Sequence, residues 1–282
     1  MKPLKESDRQ KAWGEAFDFP LAGRDAKPRG RGLTMIIDKG LGLTETRDLL
    51  ELAADYIDCI KLTFGTSAFY STHLLKEKIA LVKSYGVGIF PGGTFLEIAL
   101  IQGKLARYLS RARELGFTAI EVSDGTIPMS DQLRRDTVRA SREAGFVVFT
   151  EVGKKDPQDR VPQSKILEQI VSDLEQGAFK VIVEGRESGK GVVIYGADGS
   201  VNRDELEGIA RAVPALDAIL WEAPLKNQQV VLIQRFGPNV NLGNIHPEDA
   251  LALEALRVGL RGDTLRLSLQ SMNVASLAAR GR

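Results

Sequence analysis

The sequence predicts an α/β protein, a single-domain (β/α)8 TIM barrel. Three observations carry that prediction. A short β-branched run, a polar or glycine-rich turn and an amphipathic stretch recur eight times. The 282 residues are close to the ~250 typical of one such barrel. An open doubly wound sheet would more often carry a dinucleotide fingerprint after its first strand. Here Asp38-Lys39-Gly40-Leu41-Gly42-Leu43 has one glycine pair and no third glycine.

The expected strands are 33–38, 56–63, 87–90, 119–123, 146–152, 180–184, 218–221 and 240–242. Each is rich in Val, Ile or aromatic residues. The expected helices are 44–54, 71–85, 95–115, 130–143, 162–176, 202–213, 226–236 and 247–260, with apolar residues at helical spacing such as Leu74, Leu75, Ile79 and Val82. Gly86, Gly116, Gly145 and Gly177 stand where helix-ending glycines belong. Strands alternating with helices imply parallel pairing through crossover helices. Residues 1–31 lack a strand pattern and are basic, with Arg9, Lys11, Arg24, Lys27, Arg29 and Arg31. They are expected to form an N-terminal extension packing on the barrel of 32–265, and 266–282 to form a C-terminal tail.

Composition excludes several classes. Lys plus Arg number 38 and Asp plus Glu 37, so no basic excess supports nucleic-acid or anionic-membrane binding. One cysteine, Cys59, and two histidines leave no internal disulfide and no Cys/His zinc cluster. No run of 18 apolar residues occurs, and the opening residues Met1–Glu6 are polar. A cytoplasmic enzyme is the expectation. Cys59, between Asp58 and Ile60 within a strand, reads as core.

Barrel active sites lie at the C-terminal ends of the strands. The residues closing the runs there are Asp38 and Lys39, then Lys61, Gly92 and Gly93, then Glu121, Ser123 and Asp124. Glu151, Lys154 and Lys155 follow, then Glu184 and Arg186, Glu222, and Asn241 with Asn244. Gathering so many polar groups on one rim costs stability unless a site uses them. Glu121, Glu151 and Glu184 close three neighbouring strands about 4.8 Å apart. Three converging carboxylates suit a hard divalent cation, Mg2+. Lysines in a partly buried pocket are expected to titrate low and to serve as acids or bases. Lys154 and Lys155 are adjacent, so one of the two faces the pocket. Lys61 is alternatively a Schiff-base lysine of an aldolase. Gly185-Arg186-Glu187-Ser188-Gly189-Lys190-Gly191 is not a Walker A motif, yet its glycines and cations suit a phosphate. Pro91-Gly92-Gly93-Thr94 is a similar turn, with Thr94 a candidate helix N-cap.

These motifs together resemble the phosphosulfolactate synthase family of coenzyme M and sulfolactate biosynthesis. The resemblance runs over Arg31–Thr34, Asp38–Gly40, Asp55–Asp58, Lys61 with Gly65-Thr66-Ser67, and Pro91–Thr94. It continues over Glu121–Gly125, Thr150–Lys155, Glu184–Gly191, Glu222-Ala223-Pro224, Gln228-Gln229-Val230 and Arg257–Thr264. The family implies a (β/α)8 barrel and a Mg2+-dependent lyase with no organic cofactor. It implies addition of sulfite to phosphoenolpyruvate giving (2R)-O-phospho-3-sulfolactate, and a homo-oligomer, a trimer. The second lysine of its Gly-Lys-Lys motif, Lys155 here, is the implied acid. On this reading Lys61, Arg186 and Lys190 neutralise phosphate and sulfite, with Gly185 and Gly189 letting the backbone approach, and Asp38 and Glu222 orient the cations. The family is also similar to plant heat-stress-associated proteins, so a non-catalytic barrel is the alternative alongside the aldolase.

Overall fold

The structure, a computed structural model, describes residues 11–156, 158–159 and 161–271. Its eight strands are β1 (Thr34–Asp38), β2 (Cys59–Leu62), β3 (Gly88–Pro91), β4 (Ala119–Val122), β5 (Val147–Val152), β6 (Lys180–Val183), β7 (Ile219–Glu222) and β8 (Asn241–Ile245). All pair in parallel, in the order β3-β2-β1-β8-β7-β6-β5-β4. Around them lie α1 (Leu43–Ala53), α2 (Thr72–Ser84), α3 (Gly93–Ile101), α4 (Leu105–Leu115), α5 (Asp131–Glu143), α6 (Gln163–Glu175), α7 (Arg203–Ala212), α8 (Lys226–Phe236), α9 (Ala250–Arg257) and α10 (Gly262–Ser271). The barrel expected from the sequence is the observed fold. No described helix is long and apolar enough to cross a membrane.

Local signals start and stop the helices as expected. The hydroxyls of Ser71 and Ser130 accept from the N–H groups of Leu74 and Leu133 at 3.2 Å, capping α2 and α5. Gly116 closes α4 with φ 97°, a backbone state that costs a residue with a Cβ. Three segments differ from expectation. The continuous helix expected over 95–115 is two, because Gly103, with φ 65°, ends α3 and lets Lys104 N–H reach back to Ala99 O. Thr94, expected as an N-cap, lies inside α3, whose cap is Gly92. The expected tail 266–282 begins within α10, and its residues 272–282 lie outside the described residues, as do residues 1–10 of the expected extension.

The ring closes between β3 and β4 through the backbone and side chain of Thr118. Thr118 N–H donates to Ile89 O at 3.0 Å, and its hydroxyl donates to the same carbonyl at 3.1 Å. That hydroxyl also accepts from Ile89 N–H at 2.8 Å, standing in for a backbone acceptor. Beneath the barrel, residues 20–31 are tied to the N-terminal ends of the strands. Arg24 pairs with Glu254 at 3.0 Å, Arg29 pairs with Asp58 at 2.9 Å, and Lys27 donates to the carbonyls of Ala54 and Ile57. Cys59 is buried, as the sequence suggested.

Thr118→Val keeps the side-chain shape and strands the Ile89 N–H. It should lower the unfolding free energy by about 1–3 kcal/mol in denaturant titrations. A change under roughly 0.5 kcal/mol would show that the seam does not depend on this hydroxyl.

Candidate active site

Alternation along each strand decides which residues meet inside the barrel. Met35, Cys59, Phe90, Ala119, Phe149, Ile182 and Leu220 form an inner apolar layer, one from each of seven strands. Two residues further on, the same face carries Ile37, Lys61, Gly92, Glu121, Glu151, Glu184 and Glu222, all lining one cavity of about 290 Å³. Side chains of period two therefore convert a sealed apolar floor into a charged chamber at the C-terminal end. Intervening residues such as Ile36, Leu62, Val122 and Trp221 face the helices.

Lys61 occupies the centre. Its Nζ lies 2.8 Å from Glu121 Oε2, 3.2 Å from Glu151 Oε2 and 3.0 Å from Glu222 Oε1. Lys155 Nζ lies 3.0 Å from Glu151 Oε1 and 3.4 Å from Glu184 Oε2. Backbone donors hold the remaining oxygens. Gly93 N–H reaches Glu121 Oε1 at 2.7 Å, Gly185 N–H reaches Glu222 Oε2 at 2.9 Å, and Arg186 N–H reaches Glu184 Oε1 at 2.6 Å. Glycine is what permits the first two contacts. A Cβ on Gly93 would collide with Ser123 Oγ, and one on Gly185 would stand 2.6 Å from Glu222 O.

Four buried carboxyl groups share this layer with two ammoniums. Burial raises the Glu121 carboxyl to about 7, helped by Glu151 and opposed by Lys61. Burial, then Glu151 and Glu222, push Glu184 well above the carboxylate range. Glu151 goes the other way despite its burial, because Lys155 and Lys61 hold it low. Carboxylate oxygens of Glu151, Glu184 and Glu222 lie within 4.8 Å of one another, and Glu184 Oε2 is buried without a hydrogen-bond partner. An all-oxygen donor set in which carboxyls outnumber ammoniums fits a divalent cation.

The lysines do not titrate as expected. Burial lowers the affinity of Lys61 for its proton, but Glu121, Glu222 and Glu151 outweigh it and hold the pKa well above normal. Glu151 and Glu184 do the same to Lys155. The expectation of low-titrating lysines is corrected: carboxylates, not other cations, surround them. An ammonium shared by three carboxylates is a poor Schiff-base nucleophile.

The other residues singled out from sequence divide. Gly92, Gly93, Gly185 and Arg186 line or frame the cavity. Lys154 points away from it, with Nζ 3.0 Å from Asp124 Oδ2. Asp38 faces outward on β1 and pairs with buried Lys78 at 2.5 Å. Lys190 is exposed, and the Gly189 carbonyl accepts from Gln228 Nε2 at 2.7 Å, so neither reaches the chamber. Of the carboxylates expected as a metal trio, Glu151 and Glu184 come together with Glu222. Glu121 lies on the Gly93 side of Lys61. Sequence reasoning missed Glu97, a buried carboxylate that accepts from Ser123 Oγ at 2.5 Å and from the N–H groups of Thr126 and Ile127. Its signal was a lone acid within the apolar run Phe95–Ile101. Phe64 and Thr126, which also line the cavity, had no comparable signal.

The model of the (2R)-phospho-3-sulfolactate synthase (ComA) family matches residues 22–263. A phosphosulfolactate synthase of Methanothermobacter thermautotrophicus is 44% identical over 252 residues, covering 89% of this chain and 97% of that protein. Another, of Bacillus subtilis, is 40% identical over 253 residues, covering 89% and 99%. Among solved structures, a phosphonopyruvate hydrolase complex with oxalate and Mg++ aligns over 87% of each chain with a TM-score of 0.52 and 14% identity. That likeness extends to the barrel architecture alone.

The raised Glu121 carboxyl sets a pH dependence. Its value is about 7 when folded against 4.5 ordinarily, so the folded chain holds a proton that the unfolded chain releases between those values. The stability contributed by that proton is present below about 4.5 and is lost as pH rises through about 7. In EDTA, the melting temperature should be lower at about pH 7.5 than at about pH 5.5, and Glu121→Gln should reduce the difference. A flat profile in the unsubstituted chain would contradict this account.

Proposed function

Because the chain belongs to the (2R)-phospho-3-sulfolactate synthase family, we propose that it adds sulfite to phosphoenolpyruvate, yielding (2R)-O-phospho-3-sulfolactate, with Mg2+ held by Glu151, Glu184 and Glu222. The observation that carries the reading is the charged layer at the top of the barrel, where three carboxylates converge beside Lys155.

Sulfur of sulfite donates its lone pair to the terminal methylene of phosphoenolpyruvate and forms the C–S bond. The C=C pair moves toward the substrate carboxylate, where negative charge collects. A Mg2+ ion held by Glu151, Glu184 and Glu222 would supply the positive charge that stabilises this carboxylate. The Lys155 ammonium gives a proton to the carbon bearing the phosphate ester, from one face only, and the free amine regains a proton from solvent. Glu151 and Glu184 keep Lys155 charged at rest. A cation held by the same two carboxylates would weaken their hold on that proton. Lys61 spends its donors on three carboxylates and acts as their counter-ion. The exposed Arg186 guanidinium, on the cavity wall and anchored through the Lys155 carbonyl at 2.7 Å, suits the phosphate. The exposed Phe64, Phe69 and Ile101 are apolar surface of the kind a cytoplasmic homo-oligomer would cover.

Incubation with phosphoenolpyruvate, sulfite and Mg2+ should produce phosphosulfolactate, and EDTA should abolish the activity until Mg2+ is restored. Full turnover in metal-stripped protein would sink the metal reading. Lys155→Ala should lower kcat about 10²–10⁴-fold, with Lys154→Ala far milder. The reverse order would exchange their roles. Arg186→Ala should raise KM for phosphoenolpyruvate while kcat stays close to that of the parent, and an unchanged KM would remove Arg186 from the phosphate site.

A further inference from the structure

Among the described residues, four that are not glycine hold left-handed backbone: Phe64 (φ 57°), Arg186 (φ 59°), Val193 (φ 41°) and Asn244 (φ 52°). All four lie at or beyond the C-terminal ends of strands, and Phe64, Arg186 and Asn244 line the catalytic cavity. Such a conformation is unfavourable for any residue with a Cβ and persists only where its surroundings over-determine it. Two of the four are bonded to each other. Asn244, 3% exposed near the end of β8, donates from Nδ2 to the carbonyl of Arg186 at 3.2 Å. Its Oδ1 has no hydrogen-bond partner, so this contact is what its amide does among the described residues.

The Arg186 turn aims two successive N–H groups at two carboxylates. Gly185 N–H meets Glu222 Oε2 at 2.9 Å, and Arg186 N–H meets Glu184 Oε1 at 2.6 Å. Each contact claims one oxygen and so fixes the carboxylate plane. We propose that Asn244 is a positioning residue of the cation site: by holding the Arg186 carbonyl, it keeps Arg186 in the left-handed turn from which the N–H groups of residues 185 and 186 orient Glu184 and Glu222. Asparagine suits the post because it tolerates left-handed φ better than most side chains and supplies an amide donor. The inference rests on the reading of Glu151, Glu184 and Glu222 as holding a divalent cation.

Mn2+ is the probe, and its binding to purified, metal-stripped protein is read by electron paramagnetic resonance, independently of turnover. Asn244→Gly keeps the backbone freedom of position 244 and removes only the amide. It should weaken Mn2+ binding roughly 10–100-fold, the usual cost of losing a partner behind a ligand. Arg186→Gly added to that variant should restore most of the affinity, because glycine adopts φ 59° without the penalty that a Cβ carries. A merely structural role for Asn244 would not respond to position 186. Should Asn244→Gly alone fail to fold, Arg186→Gly is compared with the double variant, and equal Mn2+ affinities are expected. Parent-like affinity in Asn244→Gly, within about twofold, or no recovery in the double variant would overturn the proposal. Absence of Mn2+ binding by the unsubstituted chain is a different result: it removes the cation site itself, and this role with it.

Discussion

A single ammonium in the middle of the barrel sets the terms for everything around it. Lys61 Nζ sits within 3.2 Å of three buried carboxylates from β4, β5 and β7. A charge removed from water is tolerated only with close opposite charge and satisfied hydrogen bonds, and here the requirement is mutual. Without Lys61, Glu121, Glu151 and Glu222 would repel one another inside a chamber whose floor is Met35, Phe90, Phe149 and Leu220. With it, they stand together around one ammonium. Lys155 extends the same logic outward, since its ammonium joins Glu151 to Glu184 at the cavity's open side.

The constraint propagates into the backbone. Carboxylates held at their inner oxygens by lysine need donors at their outer ones, and these are peptide N–H groups at Gly93, Gly185 and Arg186. That is why glycines crowd the strand ends: a side chain on Gly93 or Gly185 would push the donor away from its acceptor. A second buried network supports the first from behind. Arg134 reaches Asp173 at 2.6 Å and Asp124 at 3.0 Å, and donates to the carbonyl of Glu151 at 2.9 Å. Asp124 in turn draws Lys154 away from the cavity, which separates two sequence-adjacent lysines into a structural one and one facing the site.

The two ends of the barrel use charge differently. At the N-terminal end, Arg257 is fully buried and, among the described residues, has no carboxylate ion-pair partner; its guanidinium donates to the carbonyls of Pro238, Val240 and Leu33, and burial lowers its pKa to about 9. Arg24 and Arg29 are matched one to one with Glu254 and Asp58. Arg24 and Arg29 are answered there by carboxylates, Arg257 and Lys27 by backbone carbonyls. At the C-terminal end the carboxylates outnumber the lysines, and that imbalance makes the end chemical rather than architectural.

The sequence alone determined the barrel, because eight strand–turn–helix units impose parallel pairing and their short strands are written in local residue types. It also determined which end is chemical and most of the residues there, since polar side chains closing apolar strands are visible in one dimension. Family membership was legible for the same reason: the motifs lie at those strand ends. Tertiary structure decided which of these residues meet. Asp38 and Ile37 are neighbours in sequence, yet the strand's alternation sends Ile37 to the cavity and Asp38 to Lys78 on α2. Glu121 and Glu222 are equally placed by sequence to join Glu151 and Glu184. Both are held by Lys61 and one glycine N–H, and only the folded ring shows that Glu222 is the one whose oxygens approach those of Glu151 and Glu184. The direction of the lysine titrations was likewise out of reach of sequence. It depends on which charges lie within a few ångströms, and those distances exist only once the ring has closed.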